Sequence, residues 1–313
     1  MARSLIAMRG VRPRPGSAPS GPSLKQRERR VGLLLAVPAL LAFALVILLP
    51  FARSLRLSLY RFTIDLTEPE FIGLANFRRL LSDPDMATVW LNTMVFVVSA
   101  TAGTFLIALA WALMMNQAFK GRAFVRAASL LPWVLPSTVT AFLAAWIFNG
   151  QYGVLNALLM SVGVIDQPVT WLAEEHAAMA CVVVTKVWLS VPPFMAFFLA
   201  GLQGVAQDQL DAARVDGCEN WGVLRHVVLP HLAPTMIIVV ILGTMNNLQA
   251  FDVIYALTQG GPIRATTMLS VEVYKQAFQN WDMGTACAVG VLWFATIAPP
   301  TVFYLRILFK RET

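Results

Sequence analysis

No glycine in these 313 residues is followed by lysine, so the phosphate-cradling G-x-x-x-x-G-K-[ST] loop is absent. A chain without that loop is not expected to hydrolyse ATP by itself. Histidine is scarce: His176, His226 and His231 are the only three, they show no H-E-x-x-H spacing, and no cysteine pairs with them, so no zinc site is expected. The three cysteines, Cys181, Cys218 and Cys287, lie too far apart in sequence to suggest a disulfide or metal framework. Charge is scarce as well. Asp, Glu, Lys and Arg make up 13% of the chain, against about a quarter in soluble proteins, which argues against a water-soluble globule. Strand-like alternation is nearly missing from the apolar blocks, and this excludes a membrane barrel. Neither catalytic residues nor a resident cofactor is expected.

What the sequence has in abundance is apolar length. Hydrophobic residues form 58% of the chain, the mean hydropathy is +0.66, and the apolar residues fall in blocks long enough to cross a hydrocarbon layer roughly 30 Å thick. Six spans are expected near 31–52, 88–115, 124–148, 177–202, 232–252 and 285–309, giving an all-α integral membrane protein. The segment before them, 1–30, is polar and proline-rich and reads as a flexible tail, with 31–313 as the membrane domain. The first apolar block starts only after residue 30 and is about 22 residues long, so it reads as a retained anchor and not a cleaved signal peptide. Thirteen methionines scattered through the apolar blocks read as gap fillers.

Orientation follows from Lys and Arg, which favour the cytosolic side. The tail carries Arg3, Arg9, Arg12, Arg14, Lys25, Arg27, Arg29 and Arg30, which places the N-terminus in the cytosol and, after six spans, Lys310 and Arg311 with it. Lys120, Arg122 and Arg126 also fall inside. The 149–176 loop, expected outside, has no Lys or Arg and holds Asp166, Glu174 and Glu175. The 53–88 loop dissents with five arginines, offset by acids from Asp65 to Asp85. Topology thereby accounts for the net charge of +7 without nucleic acid.

The richest polar segment is the cytosolic loop of about 203–231. Asp208 is placed to cap a short helix, with Asp211 three residues on as a near capping box, and Gly217 permits the left-handed turn that ends it. Trp221, Leu224 and Val228 follow at helical spacing, and Pro230 suits the first turn of the next spanning helix. The segment reads as a small helix-turn-helix projecting from the membrane.

Asp211-Ala212-Ala213, three residues, Gly217, nine residues, Val227, one residue and Leu229-Pro230 resemble the E-A-A-x3-G-x9-I-x-L-P loop of binding-protein-dependent ABC importer permeases. Asp211 stands where the family has Glu, and Val227 where it has Ile. Phe71-Ile72-Gly73-Leu74-Ala75-Asn76-Phe77 and Phe251-Asp252-Val253-Ile254-Tyr255-Ala256-Leu257-Thr258-Gln259-Gly260-Gly261-Pro262 are similar to segments of the carbohydrate branch, the maltose, trehalose and glycerol-3-phosphate permeases. The resemblance runs from about residue 30 to the end. It implies the type I importer permease fold in a bacterial-type inner membrane, with a coupling helix near 207–222 that carries Asp211, Ala212, Ala213, Asp216 and Gly217 ahead of Leu229 and Pro230. It also implies four kinds of partner: a second homologous permease, an ATPase dimer holding ATP and Mg2+, an extracytoplasmic solute-binding protein and membrane lipid. Capping and helix termination alone would explain Asp211 and Gly217 locally, but not why such a helix projects from a membrane.

Polar residues within the spans are expected to be functional, since a charge at a helix centre costs at least about 2.5 kcal/mol. Lys186 is the only charge deep in a span. It has three possible roles: facing a solute pathway, pairing with a carbonyl freed by Pro192-Pro193, or reaching a partner subunit. Asn246, Asn247, Gln249 and Asp252 form a polar run along the fifth span, suited either to a hydroxyl-rich solute or to hydrogen bonding between helices. The maltose-permease resemblance favours Asn247 and Gln249 as solute contacts. Pro132, Pro136, Pro192 and Pro193 are expected to kink the third and fourth spans. The reading is thus half of a sugar, polyol or oligosaccharide pathway. Alternatives are an ABC permease for another solute, an ion-driven secondary transporter, which would want buried acidic or histidine relays, or a membrane enzyme such as a lipid-linked transferase.

Overall fold

In a computed structural model of the chain, the described residues are 24–63 and 68–311. Most of the expected tail, together with Asp65, therefore lies outside the described residues, as do the side chains of Lys310 and Arg311. The first helix begins at Leu24 and not at 31, because residues 24–30 include Lys, Gln, Arg and Glu, good helix formers, after the last proline of the tail. Its apolar run is Gly32–Leu57.

Four further helices have spanning length and composition: Pro84–Asn116, Glu175–Gln203, Asn220–Leu248 and Met283–Val302, the last continuing to Arg311. The expected single span at 124–148 is instead a bent pair, Arg122–Val134 and Ser137–Ile147, set at 95° to each other. Pro136 is the cause. It biases the preceding residue away from helical angles, and Leu135 is extended (φ −72°, ψ 136°), so the break falls where proline demands it. Pro192 and Pro193, by contrast, sit inside an unbroken helix. Counting the bent pair as one, six segments among the described residues are long and apolar enough to cross a membrane.

Two other prolines are accommodated by widening the helix. The π-helical turns Ala44–Leu48 and Leu224–Val228 each end two residues before a proline, Pro50 and Pro230. In an ordinary α-turn the proline ring meets the carbonyl four residues back, and a π-turn moves that carbonyl away. Trp221 and Leu224 therefore belong to the continuous fifth helix, which starts at Asn220, and Pro230 lies within that run.

The core of the unit formed by Ser54–Thr313 is built on the second span packed against the fourth. Ala100, Ala108 and Ala112 face Val182, Phe194 and Phe198, and Phe105 meets Phe198 edge-on at 5.4 Å. Small residues let the backbones approach: a Cβ on Gly103 would lie 3.1 Å from Val187, and one on Gly201 would lie 2.8 Å from both Leu232 and Thr235 of the fifth span.

Loops at the helix ends are tied by buried amides. Asn76 donates to the Ser58 and Tyr60 carbonyls, both at 2.9 Å, beside a two-stranded antiparallel ribbon of Tyr60–Arg61 with Glu70–Phe71. Gly73, at φ +58°, makes the left-handed turn into the helix Ala75–Ser82 that carries Asn76. Asn156 ties the 149–176 loop, donating to Val169 O at 2.9 Å and accepting from the Trp171 indole at 2.8 Å.

Candidate functional site

Two polar regions flank the long fifth helix, one before its first turn and one past its last. Before it, Gln207–Val215 forms a short helix whose N-cap residue is Ala206, not Asp208. Ala206 has no side chain that caps, and Asp208 instead occupies the first turn, where a carboxylate suits the positive helix end. Asp211 closes no capping box either. It accepts from Gln207 Nε2 at 3.0 Å and from Arg214 at 2.9 Å, exposed bonds along one helix face. Gly217 has φ +86°, and the Cys218 amide reaches back to the Ala213 carbonyl at 2.9 Å, which ends the helix in a left-handed turn. Nothing lies within 4 Å of where a Gly217 Cβ would sit, so the turn itself, and not crowding, calls for glycine there. Ala212 and Asp216 are exposed, while Ala213 is buried. Leu229 and Pro230 continue into the spanning helix.

At the far end the fifth helix stops at Leu248, so Gln249 and Asp252 lie beyond it and not along it. Gln249 is the exposed C-cap, and a new helix, Asp252–Thr258, starts three residues later. The carbonyls freed by the break are taken by side chains from elsewhere: Trp293 Nε1 donates to Leu248 O at 3.0 Å and Ser270 Oγ to Ala250 O at 2.6 Å.

Asn246 and Asn247, adjacent in sequence, face different surroundings. Asn247 is 3% exposed, and its Nδ2 donates to Thr101 Oγ1 of the second span at 3.0 Å. Its Oδ1 is buried without a partner among the described residues. Asn246 is exposed on the chain's own surface, and its Oδ1 accepts from Lys186 Nζ of the fourth span at 2.7 Å. Lys186 also interacts electrostatically with Asp252. The Asp252 carboxylate accepts from Ser137 Oγ, at the break in the third span. Lys186, Asn246, Asp252 and Ser137 thus form one cluster drawn from three spans and the short helix that follows the fifth, and Gln249, exposed, lies between Asn246 and Asp252 in sequence. It carries one cation, one anion and several amide and hydroxyl groups, a set able to donate to and accept from neighbouring hydroxyls. Sequence reasoning missed Ser137. Its signal was a polar residue directly after Pro136 in an apolar run.

Beyond the cluster, the 258–282 segment is held by an inner polar network. Glu272, its side chain 3% exposed, accepts from Arg264 at 2.7 Å and from Gln276 at 2.8 Å, and Asn92 of the second span donates to the Arg264 carbonyl at 3.0 Å. Gly260, at φ +86°, allows Thr267 Oγ1 to reach its carbonyl at 2.8 Å. Lys275 donates to Thr267 Oγ1 at 3.2 Å, and burial, followed by repulsion from Arg264, lowers its pKa while Glu272 pulls the other way. No group of three or more His, Cys, Asp or Glu side chains able to hold a metal occurs among the described residues.

Comparison with known proteins adds to this geometry. The family described as "Binding-protein-dependent transport system inner membrane component" matches residues 104–311. The trehalose/maltose transport system permease protein MalF of Thermococcus litoralis is 35% identical over 294 residues, covering 92% of this chain and 97% of that protein. The sulfoquinovosyl glycerol transport system permease protein SmoG of Agrobacterium fabrum is 31% identical over 287 residues, with 91% and 92% covered. A crystal structure of a bacterial alginate ABC transporter, in complex with an alginate pentasaccharide-bound periplasmic protein, shares the fold. Its TM-score is 0.77 at 20% identity, with 90% of this chain and 95% of that chain covered.

Proposed function

Because the chain belongs to the family of binding-protein-dependent transport system inner membrane components, we propose that it forms half of the pathway of an ABC importer for a sugar, polyol or oligosaccharide. The observation that carries the solute class is the cluster of Lys186, Asn246, Asp252 and Ser137, hydrogen-bonding groups without net charge set among apolar helices. Hydroxyl-rich solutes need such donors and acceptors, and the named relatives transport trehalose, maltose and a sulfoquinovosyl glycerol. Asn246 and Gln249, being exposed, are the residues of the run best able to meet a solute; Asn247 serves to join helices.

The remaining parts of the proposal rest on the family, on the resemblance of the 211–230 loop to its coupling loop, and on the chain's lack of an ATP-binding loop. An ATPase dimer holding ATP and Mg2+ docks on the short helix 207–215 and the turn at Gly217, which puts this end of the fifth span, and both termini, in the cytosol. A second homologous permease completes the pathway, and an extracytoplasmic binding protein delivers solute to the opposite face. The ATPase and the solute then favour different states of one linked equilibrium, which is what coupling requires.

The test is reconstitution. The purified chain alone is expected to turn over no ATP. In liposomes with its partner permease, ATPase and binding protein, it is expected to import at least one of trehalose, maltose and maltotriose. ATP turnover by the single chain, or import of an amino acid in place of any saccharide, would overturn the reading.

A further inference from the structure

The short helix after the fifth span has two faces. Val253, Ile254 and Leu257 point into the core and are buried. Phe251 and Tyr255, on either side of Asp252, take the other face, where their rings stack at 5.2 Å and an interplanar angle of 16°. A second element extends this face. In the helix Leu269–Tyr274, Leu269 and Val271 are buried and Tyr274 is half-buried, while Phe278 beyond it is exposed; Tyr274 lies 4.7 Å from Tyr255 and 5.2 Å from Phe278, ring centre to ring centre. The helix widens to a π-turn at Lys275–Gln279, so Phe278 and Gln279 are set in a stretch of a kind often found at functional sites. Phe278 is 56% exposed, and Gln279, also exposed, donates to the Tyr255 hydroxyl at 3.2 Å. A hydrogen bond with the Tyr255 hydroxyl also raises the pKa of the Tyr274 phenol.

We propose that Phe251, Tyr255, Tyr274 and Phe278 form an aromatic track on which sugar rings stack on their way to the polar cluster. The inference rests on the sugar reading above and extends it from one cluster to a path. The aliphatic residues fill the core beneath both elements; Phe251 and Tyr255 also rest against it but are only half-buried, and Phe278 is 56% exposed, which leaves aromatic surface open along the track. Its rings carry polar groups at their rims, Tyr255 Oη with Gln279, and Phe251 directly precedes Asp252, whose carboxylate accepts from Ser137 Oγ. Aromatic faces beside a few placed donors and acceptors are what a pyranose requires, with its C–H faces and rim of hydroxyls.

The experiment uses the whole complex in liposomes and whichever of trehalose, maltose and maltotriose the unmodified complex imports. Phe278→Leu keeps apolar bulk but removes the ring, and is expected to lower import per assembled complex roughly threefold to tenfold, the range for loss of one stacking contact. Phe278→Tyr should stay within about twofold of the unmodified rate. Tyr274→Leu with Phe278→Leu should lower import further. If Phe278→Leu imports normally while the saccharide is still carried, the track is overturned and the sugar reading stands. Loss of assembled complex with normal import per complex would mean that a partner subunit covers the rings, which also overturns the track. Import of none of the three saccharides by the unmodified complex overturns both.

Discussion

Lys186 Nζ donates to Asn246 Oδ1 at 2.7 Å, a bond between the fourth and fifth spans across sixty residues of sequence. It gives Lys186, a charge within the fourth span, a neutral partner, with Asp252 as its counter-charge. Replacing Lys186 by Met therefore leaves the Asp252 carboxylate without that counter-charge. Lys186→Met alone is expected to destabilise the assembled complex, and adding Asp252→Asn should recover part of the loss, with a coupling of about 0.5–3 kcal/mol. Thermal unfolding of the two single variants and the double variant measures it; strict additivity would mean that the pair does not interact.

Asn246 and Asn247 should separate in function. Asn247→Leu removes a helix-joining bond worth on average about 0.6 kcal/mol in membranes, so a small drop in thermal stability with normal import per complex is expected. Asn246→Leu and Gln249→Leu should do the reverse: assembly persists while import falls roughly tenfold, since solute hydroxyls lose partners in a partly dry site. Uptake and assembly measured on the same samples decide between the two behaviours.

At Gly217 the requirement is conformational. Gly217→Ala adds a methyl in open space and keeps φ near +86° at a penalty of about 1–2 kcal/mol, so transport should weaken only mildly. Gly217→Pro cannot adopt that angle, because proline holds φ near −65°. It should abolish solute-stimulated ATP turnover in complexes whose spans still insert. Full transport by the proline variant would remove the turn from the coupling mechanism.

The pair Arg264–Glu272 should matter for stability more than for chemistry. Glu272→Ala leaves the Arg264 guanidinium with only Asp85, at 3.8 Å. Breaking a buried pair commonly costs about 3–5 kcal/mol, and the low end applies here because Arg264 is 34% exposed. The expected result is a lower melting temperature of the complex, with the surviving protein importing solute at the usual rate per complex.

Much of this was legible in the sequence because the deciding physics is local. Apolar blocks of membrane length must be helical, whatever they pack against. A glycine at fixed distance from a short polar helix marks a left-handed stop, and Gly217 has that conformation. The caps were misjudged for a related reason: Asp208 has the chemistry of an N-cap, but the backbone enters the helix earlier, through Val205 and Ala206, and only the three-dimensional path decides that.

The class of protein, its helical apolar blocks and the spacing of the loop before the fifth helix are written in the sequence alone. Tertiary structure alone decided which of two neighbouring asparagines is buried. Successive residues on a helix of 3.6 per turn point about 100° apart, so adjacent polar residues reach different neighbours, and the packing of other helices selects which one faces inward. Thr101 lies 146 residues from Asn247, and Ser137 lies 115 from Asp252. No local pattern encodes such pairs; they exist only because the second span and the break at Pro136 are carried to the end of the fifth helix by the fold.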